Sequence, residues 1–445
     1  MAKKCELLCP SQNFKSLDAL IGNKLSSEYV DLATYFGVEI FNMRMHAQNI
    51  SLKDLKEFVQ KAHENNIKAY LATNIIIYEN ELKILRELIE KAYSAEIDGI
   101  IAHDFATIKL AKELNIPFHV STQLSISNSI AAKFYEELGA NRIILARELT
   151  LTQISEISKK LNKTKIECFV HGAMCTSISG RCYFSQTICE SPDYSANRGK
   201  CLQPCRHKWR VIYLGDPNKD IDSKSNENTQ NNNEITKMYE FDYDGFYFLN
   251  AKDLCMIEYL PQMLDAGIYG FKIEGRMRDA YYIDITSQVY FNALHQCFTG
   301  EYSLEMAQKW KRKLMEVYNR GFSTGFYFSK PISQDIDRIF SGNKSLKKKS
   351  ELGRVVLYYR NKNIAKIALS NGKLSIGDEI IIEGGQKGPY YCIKVESMFH
   401  KNKMINETPN LLNKDSKQIY LITIKLPENC IVKKNNRVFK FDDNL

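Results

Sequence analysis

Four thiols stand in two short stretches, HGAMCTSISGRC at 171–182 and NRGKCLQPCRHKW at 197–209, with the spacing C-x6-C-x18-C-x3-C over Cys175, Cys182, Cys201 and Cys205. Four thiolates suit an iron–sulfur cluster or a structural zinc. Zinc sites usually show two tight pairs, and the gap between Cys175 and Cys182 is loose for that. Gly172, Gly180 and Gly199 would let these loops approach other backbone closely. A papain-like thiol nucleophile needs a histidine near it in space, for which His171 and His207 are available, but the stretch carries no specific sign of that pairing. Disulfides do not suit a reducing cytosol. Two protease-like strings also occur. HENNI at 63–67 lacks the second histidine of a zinc-binding HExxH, and GFSTG at 321–325 follows a basic helix where a nucleophile elbow needs a buried strand.

These residues need elements to position them. The chain has 445 residues, 44% hydrophobic and 25% charged, which fits two domains or one large barrel with an appendage. No apolar run approaches the roughly 20 residues that span a bilayer. The start, MAKKCELLCPS, lacks the apolar core of a signal peptide. The expectation is a cytoplasmic chain without a membrane segment. Seven of twelve cysteines fall between 168 and 255, and clustered thiols in such a chain point to metal or redox chemistry. The net charge of +9 divides into −3 for residues 1–300 and +12 for 301–445, so the last third is the candidate surface for a polyanion. A solvated lysine-rich face is the plain alternative.

Strand-like runs start at ELLC (6), VEIFNM (38), KAYLAT (68), DGIIAH (98), PFHVST (117), RIILAR (142), IECFVH (166) and GFKIEG (270), with helical patterns between them. Alternating strands and helices predict an α/β fold, a (β/α)8 TIM-barrel-like domain over 1–330. A polar, mobile insertion is expected at 216–240 and a basic linker at 331–350. Strand patterns separated by turns then predict a small C-terminal antiparallel β-barrel over 351–445.

Active sites of such barrels gather at the C-terminal strand ends. There the sequence places Arg44, Asn74, His103 with Asp104, Ser121 with Gln123, Arg147 with Glu148, His171, and Glu274 with Arg276. Arg44, Arg147 and Arg276 around one mouth would suit a small polyanion, because the guanidinium fork matches a carboxylate. The alternative is that they pair with Glu148 or Glu274 as structural ion pairs.

The runs ECFVHGAMCTSISGRCYFS (167–185), NRGKCLQPCR (197–206), KDLCMIEYLPQMLDAGIYGFKIEGRMRDAYY (252–282) and NRGFSTGF (319–326) resemble the signature of the collagenase-like peptidases, family U-32. The opening ELLCPSQNFKSLDAL resembles the family's first strand and helix, and LSIGDEIIIEG (374–384) is similar to the β-barrel that follows in some members. SSEYVDLATYFG stands where the family has Gly-Ala-Asp-Ala-Val-Tyr, so the placement of the second strand is open.

The resemblance implies a [4Fe-4S] cluster on four cysteines and oxygen-independent hydroxylation. Branches of the family act on the wobble uridine of tRNA with prephenate as hydroxyl source, on a cytidine of 23S ribosomal RNA, or on the ubiquinone ring. With one β-barrel appended, the chain is most similar to the branch that makes 5-hydroxyuridine in tRNA. The ligand positions carry over to Cys175, Cys182, Cys201 and Cys205, with Cys255 as a rival fourth. Arg44, Asn74, Gln123, Arg147 and His171 become candidates for binding substrate, including the dicarboxylate prephenate. Lys272, Glu274 and Arg276 of the KIEGR motif are the candidate catalytic residues. The basic C-terminal part becomes a contact for tRNA, and a second family member is an allowed partner. A peptidase and a non-catalytic zinc- and RNA-binding scaffold are the competing readings.

Overall fold

The computed structural model describes residues 4–210, 245–411 and 419–443, together with the backbone of 212–214 and 238–240. The expected insertion at 216–240 lies outside the described residues except for its last three. Strands β1 (Cys5–Pro10), β2 (Val30–Phe36), β3 (Lys68–Thr73), β4 (Gly99–Ala102), β5 (Phe118–Val120), β6 (Arg142–Ile144) and β7 (Lys165–Gly172) pair in parallel in that order. After a short antiparallel ribbon of β8 (Ile212–Leu214) and β9 (Met238–Glu240) come β10 (Asp253–Cys255) and β11 (Ile268–Ile273). β11 is parallel to both β7 and β1, which closes an eight-stranded barrel. Parallel strands buried on both faces read as continuous apolar runs, and β1 and β4 are buried throughout.

The outer layer is α1 (Phe14–Gly22), α2 (Leu55–His63), α3 (Leu82–Ser94), α4 (Phe105–Glu113), α5 (Ser129–Glu137) and α6 (Leu151–Ser158). Leu55, Phe58, Val59 and Ala62 of α2 show why: apolar residues at helical spacing form one buried face. Asn13, Asp104 and Asn128 accept backbone hydrogen bonds at the starts of α1, α4 and α5, so these three strand-to-helix loops end on a cap. The short α7 (Phe184–Ile188) lies in the cysteine region, and α8 (Leu260–Asp265), α9 (Ala280–Thr299) and α10 (Leu304–Leu314) flank the closing strand.

The second strand is not at 38–43. In VDLATYF every residue but Asp31 is buried, whereas VEIFNM is interrupted by the exposed Glu39. Residues 37–50 instead form a loop in which Phe41 and Asn49 have φ of 60° and 35°. Two further strands extend the wall: β10 runs antiparallel to β7, and β12 (Phe322–Ser323) pairs with β10. Ser323 of GFSTG therefore lies in a two-residue strand and not at a strand-to-helix elbow.

The C-terminal unit is an antiparallel sheet around its own apolar core. Its strands are β13 (Lys347–Tyr359), β14 (Ile364–Leu369), β15 (Glu379–Glu383), β16 (Tyr390–Lys394), β17 (Met398–His400), β18 (Lys403–Met404), β19 (Tyr420–Lys425) and β20 (Arg437–Asp443). The basic segment expected as a linker ends early because Lys347 and Lys348 already pair in register with Asp443 and Asp442, opposite charges across an antiparallel ladder. The unit docks on the barrel through Tyr390, whose hydroxyl donates to Asp284 Oδ2 at 2.7 Å, and through Phe441 stacked on Tyr281 at 3.9 Å.

Burial pushes the Asp284 carboxyl up to about 6, against the opposing hydrogen bonds from Tyr390 and Asn23. A carboxyl raised on folding gives stability that is full below its unfolded value, about 3.9, and is lost as pH rises through the folded value. Thermal melting should therefore show a contribution of about 1–3 kcal/mol lost between pH 4 and 7, and Asp284→Asn should flatten that part of the profile.

Candidate active site

Glu167 on β7 is fully buried inside the barrel, where its oxygens accept from Lys272 Nζ and Arg142 Nη1, each at 2.9 Å. Arg142 also donates to Glu6 Oε1 at 2.5 Å, and the Tyr70 hydroxyl donates to Glu6 Oε2 at 3.0 Å. Burial alone would raise the Glu167 carboxyl, but Lys272 and Arg142 outweigh it and hold it below the ordinary range. Burial likewise lowers the Lys272 ammonium, with Glu167 pushing back. Lys272 is 4% exposed and sits 4.3 Å over the Tyr35 ring, so it faces the mouth from inside this charge network.

The barrel mouth is lined by Tyr35, Arg44, Asn74, Gln123, Lys272, Glu274 and Arg276, among others. Arg44 Nε and Nη2 donate to Glu274 Oε1 at 3.1 and 2.9 Å. The ion-pair alternative thus holds for Arg44, and the Glu274 carboxylate occupies its fork. Burial would raise Glu274, yet Arg44, Arg147 and Arg276 together keep it below the ordinary range. Arg276 is 2% exposed, bonds the side-chain oxygens of Asn42 and Asn49, and is pushed down to about 10 by burial, still cationic at neutral pH. Arg147 donates to the Ala173 carbonyl at 3.0 Å and lies over the Phe169 ring. Arg276 lines the mouth, whereas Arg147, expected there from the sequence, does not; among the described residues the buried Nε atoms of both lack a hydrogen-bond partner. Asn74 accepts from the Met43 amide at 3.1 Å, and Gln123 accepts from Ser121. His171 does not join them. It is 1% exposed among Tyr282, Tyr290 and Phe322, does not line the mouth, and is pushed down to about 3 by burial.

Beside the mouth, a cavity of about 310 Å³ is lined by Cys175, Cys182, Cys201 and Cys205, and by Arg44, Arg206 and Arg320. Its loops lock together through the Cys182 amide bonded to Asn197 Oδ1 at 2.9 Å and the Leu202 amide bonded to Ser185 Oγ at 3.0 Å. Gly199, at φ 78°, approaches so closely that a Cβ there would lie 2.1 Å from the Asn42 carbonyl oxygen. Among the described residues no three His, Cys, Asp or Glu side chains are placed to hold a single metal ion. The donor set is nonetheless all thiol, and Arg44 and Arg206 stand beside it as cations. Cys255 is elsewhere, buried on β10 with its sulfur 3.7 Å from the Tyr290 hydroxyl. Of the two candidates for a fourth ligand, only Cys205 lines the cavity.

With barrel, mouth and thiol cavity in place, the family model for peptidase family U32 matches residues 13–337. The chain belongs to peptidase family U32. It is 38% identical to an uncharacterized protease of Methanocaldococcus jannaschii, over 94% of this chain and 98% of that one. It is 34% identical to a collagenase of Porphyromonas gingivalis, over 86% and 87%. A tRNA hydroxylation protein P of Helicobacter pylori is 32% identical, over 74% and 73%. A solved U32 peptidase aligns with a TM-score of 0.37 at 12% identity, over 61% of this chain and 93% of that one. No helix among the described residues is long and apolar enough to cross a membrane.

Several U32 residues that the motifs did not reveal shape this site: Glu6, Arg142 and Glu167 inside the barrel, Tyr35 at the mouth, and Asn42 and Asn49 behind Arg276. The signal for the first three was a charge within an apolar strand run, as in CELLCP and KIECFVHG, where burial requires a partner. Removing one partner from such a network leaves an uncompensated charge, so Lys272→Met should destabilise the fold by about 3–5 kcal/mol in denaturant titration. Lys272→Met with Glu167→Gln should lose clearly less than the sum of the single changes.

Proposed function

We propose that this U32 protein is an iron–sulfur-dependent, oxygen-independent tRNA hydroxylase that forms 5-hydroxyuridine at the wobble position, with prephenate as hydroxyl donor. The observation that carries the reading is Arg44, which lines both the barrel mouth and the four-cysteine cavity and so joins an anion site to a thiol site. The similarity to tRNA hydroxylation proteins supports RNA as substrate. Cys175, Cys182, Cys201 and Cys205 would hold a [4Fe-4S] cluster, which supplies electron transfer or Lewis acidity when bound.

The chain's own residues bind and orient the reactants. The donor carboxylates pair with Arg276 and compete with Glu274 for the Arg44 fork, while Arg147 adds positive charge beside Glu274. Asn74 and Gln123 offer amides to the uracil edge. Lys272, dry and fixed by Glu167, places a positive charge where the departing hydroxyl oxygen gains negative charge. In balance, the uridine C5–H bond gives way to C5–OH, a two-electron oxidation, while the donor's C–O bond breaks and the donor takes up the hydrogen and the two electrons. The basic C-terminal third supplies contacts to the tRNA backbone, and cytoplasmic location follows from the substrate.

The peptidase reading rests on relatives named collagenase. Against a thiol nucleophile paired with His171, that ring is enclosed by Tyr282, Tyr290 and Phe322 and does not line the thiol cavity.

Anaerobically purified protein should contain about four irons with matching sulfide, and both Cys175→Ala and Cys201→Ala should lose them. Zinc in place of iron would overturn the reading in favour of a scaffold. Cells lacking the gene should lose 5-hydroxyuridine from tRNA, measured by nucleoside mass spectrometry. Arg44→Lys keeps the charge and loses the fork, so it should raise the KM for prephenate by about tenfold or more with iron content unchanged.

A further inference from the structure

A second cavity, of about 320 Å³, lies on the other side of the loop that carries Arg44. Ile40, Phe41, Met45 and Ile75 give it an apolar lining, while Tyr78, Arg198 and Lys200 stand at its edge. The loop 37–50 serves both cavities, since Arg44 reaches the mouth and the next residue, Met45, lines this pocket. The Met45 amide donates to the Gly199 carbonyl at 3.0 Å, which ties the pocket to the segment holding Cys201.

Three features describe what the pocket would take. Tyr78 is 54% exposed, and the Arg198 guanidinium lies 4.6 Å from its ring centroid. Arg198 is itself fixed by Glu81 and the Ile76 carbonyl, so the ring is held as a flat, cation-backed platform on which a planar group can stack. Phe41 holds φ at 60°, a strained conformation for a bulky residue that persists only where the surroundings impose it. Lys200 pairs among the described residues with the 82%-exposed Asp193 at 3.6 Å, a weak surface pair that a phosphate can displace. The acidic Glu81 is neutralised by Arg198 and does not repel a polyanion.

We propose that this cavity holds the base of a nucleotide next to the target uridine, stacked on the exposed side of Tyr78, with Lys200 at its phosphate. The proposal rests on RNA being the substrate, and it makes Tyr78 a specificity-determining residue for sequence context.

The test uses anaerobically purified, iron-loaded full-length protein and a fluorescent anticodon stem–loop RNA, intact or abasic at either neighbour of the wobble uridine. Tyr78→Ala should weaken binding roughly ten- to a hundredfold, the range of one lost base–aromatic stack, whereas Tyr78→Phe should bind as the wild type. One of the two abasic RNAs should bind the wild type as weakly as the intact RNA binds Tyr78→Ala, and on that RNA the two proteins should be equal. Equal binding of intact RNA by Tyr78→Ala and wild type would overturn the pocket assignment alone. So would a Tyr78→Ala defect of the same size on all three RNAs. No binding by the wild type would overturn RNA as the substrate and this pocket with it.

Discussion

A carboxylate buried inside a closed barrel cannot stay ionised without partners, and Glu167 has two of them, Lys272 and Arg142. This requirement sets much of the interior. It joins β7 to β6 and β11 by side chains, adding to the backbone ladder, and through Arg142 and Glu6 it reaches β1, the other neighbour of the closing strand. It also fixes Lys272 at the floor of the mouth under Tyr35. A ligand entering the mouth meets a positive charge that is dry and oriented, a state a solvent-exposed lysine could not offer.

The loops above this floor depend on close backbone approach. Gly199 presses against Asn42, and Asn42 holds Arg276 in place. The cysteine segments and the arginine-bearing loop therefore pack as one body, with Arg44 shared between two cavities. A side chain at position 199 would separate the thiols from the mouth as well as strain the turn.

The C-terminal sheet rests on the outer surface of the barrel, with Tyr390 and Phe441 seated against α9. Lys387 adds ion pairs to Asp54 and Glu57 at the base of α2, the helix that follows the Arg44 loop. The basic unit is thus anchored at the start of the helix that follows the loop shared by the cavities.

The sequence by itself determined the barrel class, because alternating β and helical periodicities with both-face-buried strands have few other solutions. It also made family membership legible, since the signature is long, and the clustering of Cys175, Cys182 and Cys201, though the fourth thiol stayed open. It misplaced the second strand, where two neighbouring apolar runs competed and only burial of VDLATYF decided. It read the basic run before 350 as a linker, because the acidic partners Asp442 and Asp443 lie far away in the chain. Only the tertiary structure decided that His171 faces the core, that Cys205 and not Cys255 lines the cavity, and that Arg44 pairs with Glu274. Each of these depends on which side of a strand or loop faces which cavity, a property set by register and packing between segments remote in sequence.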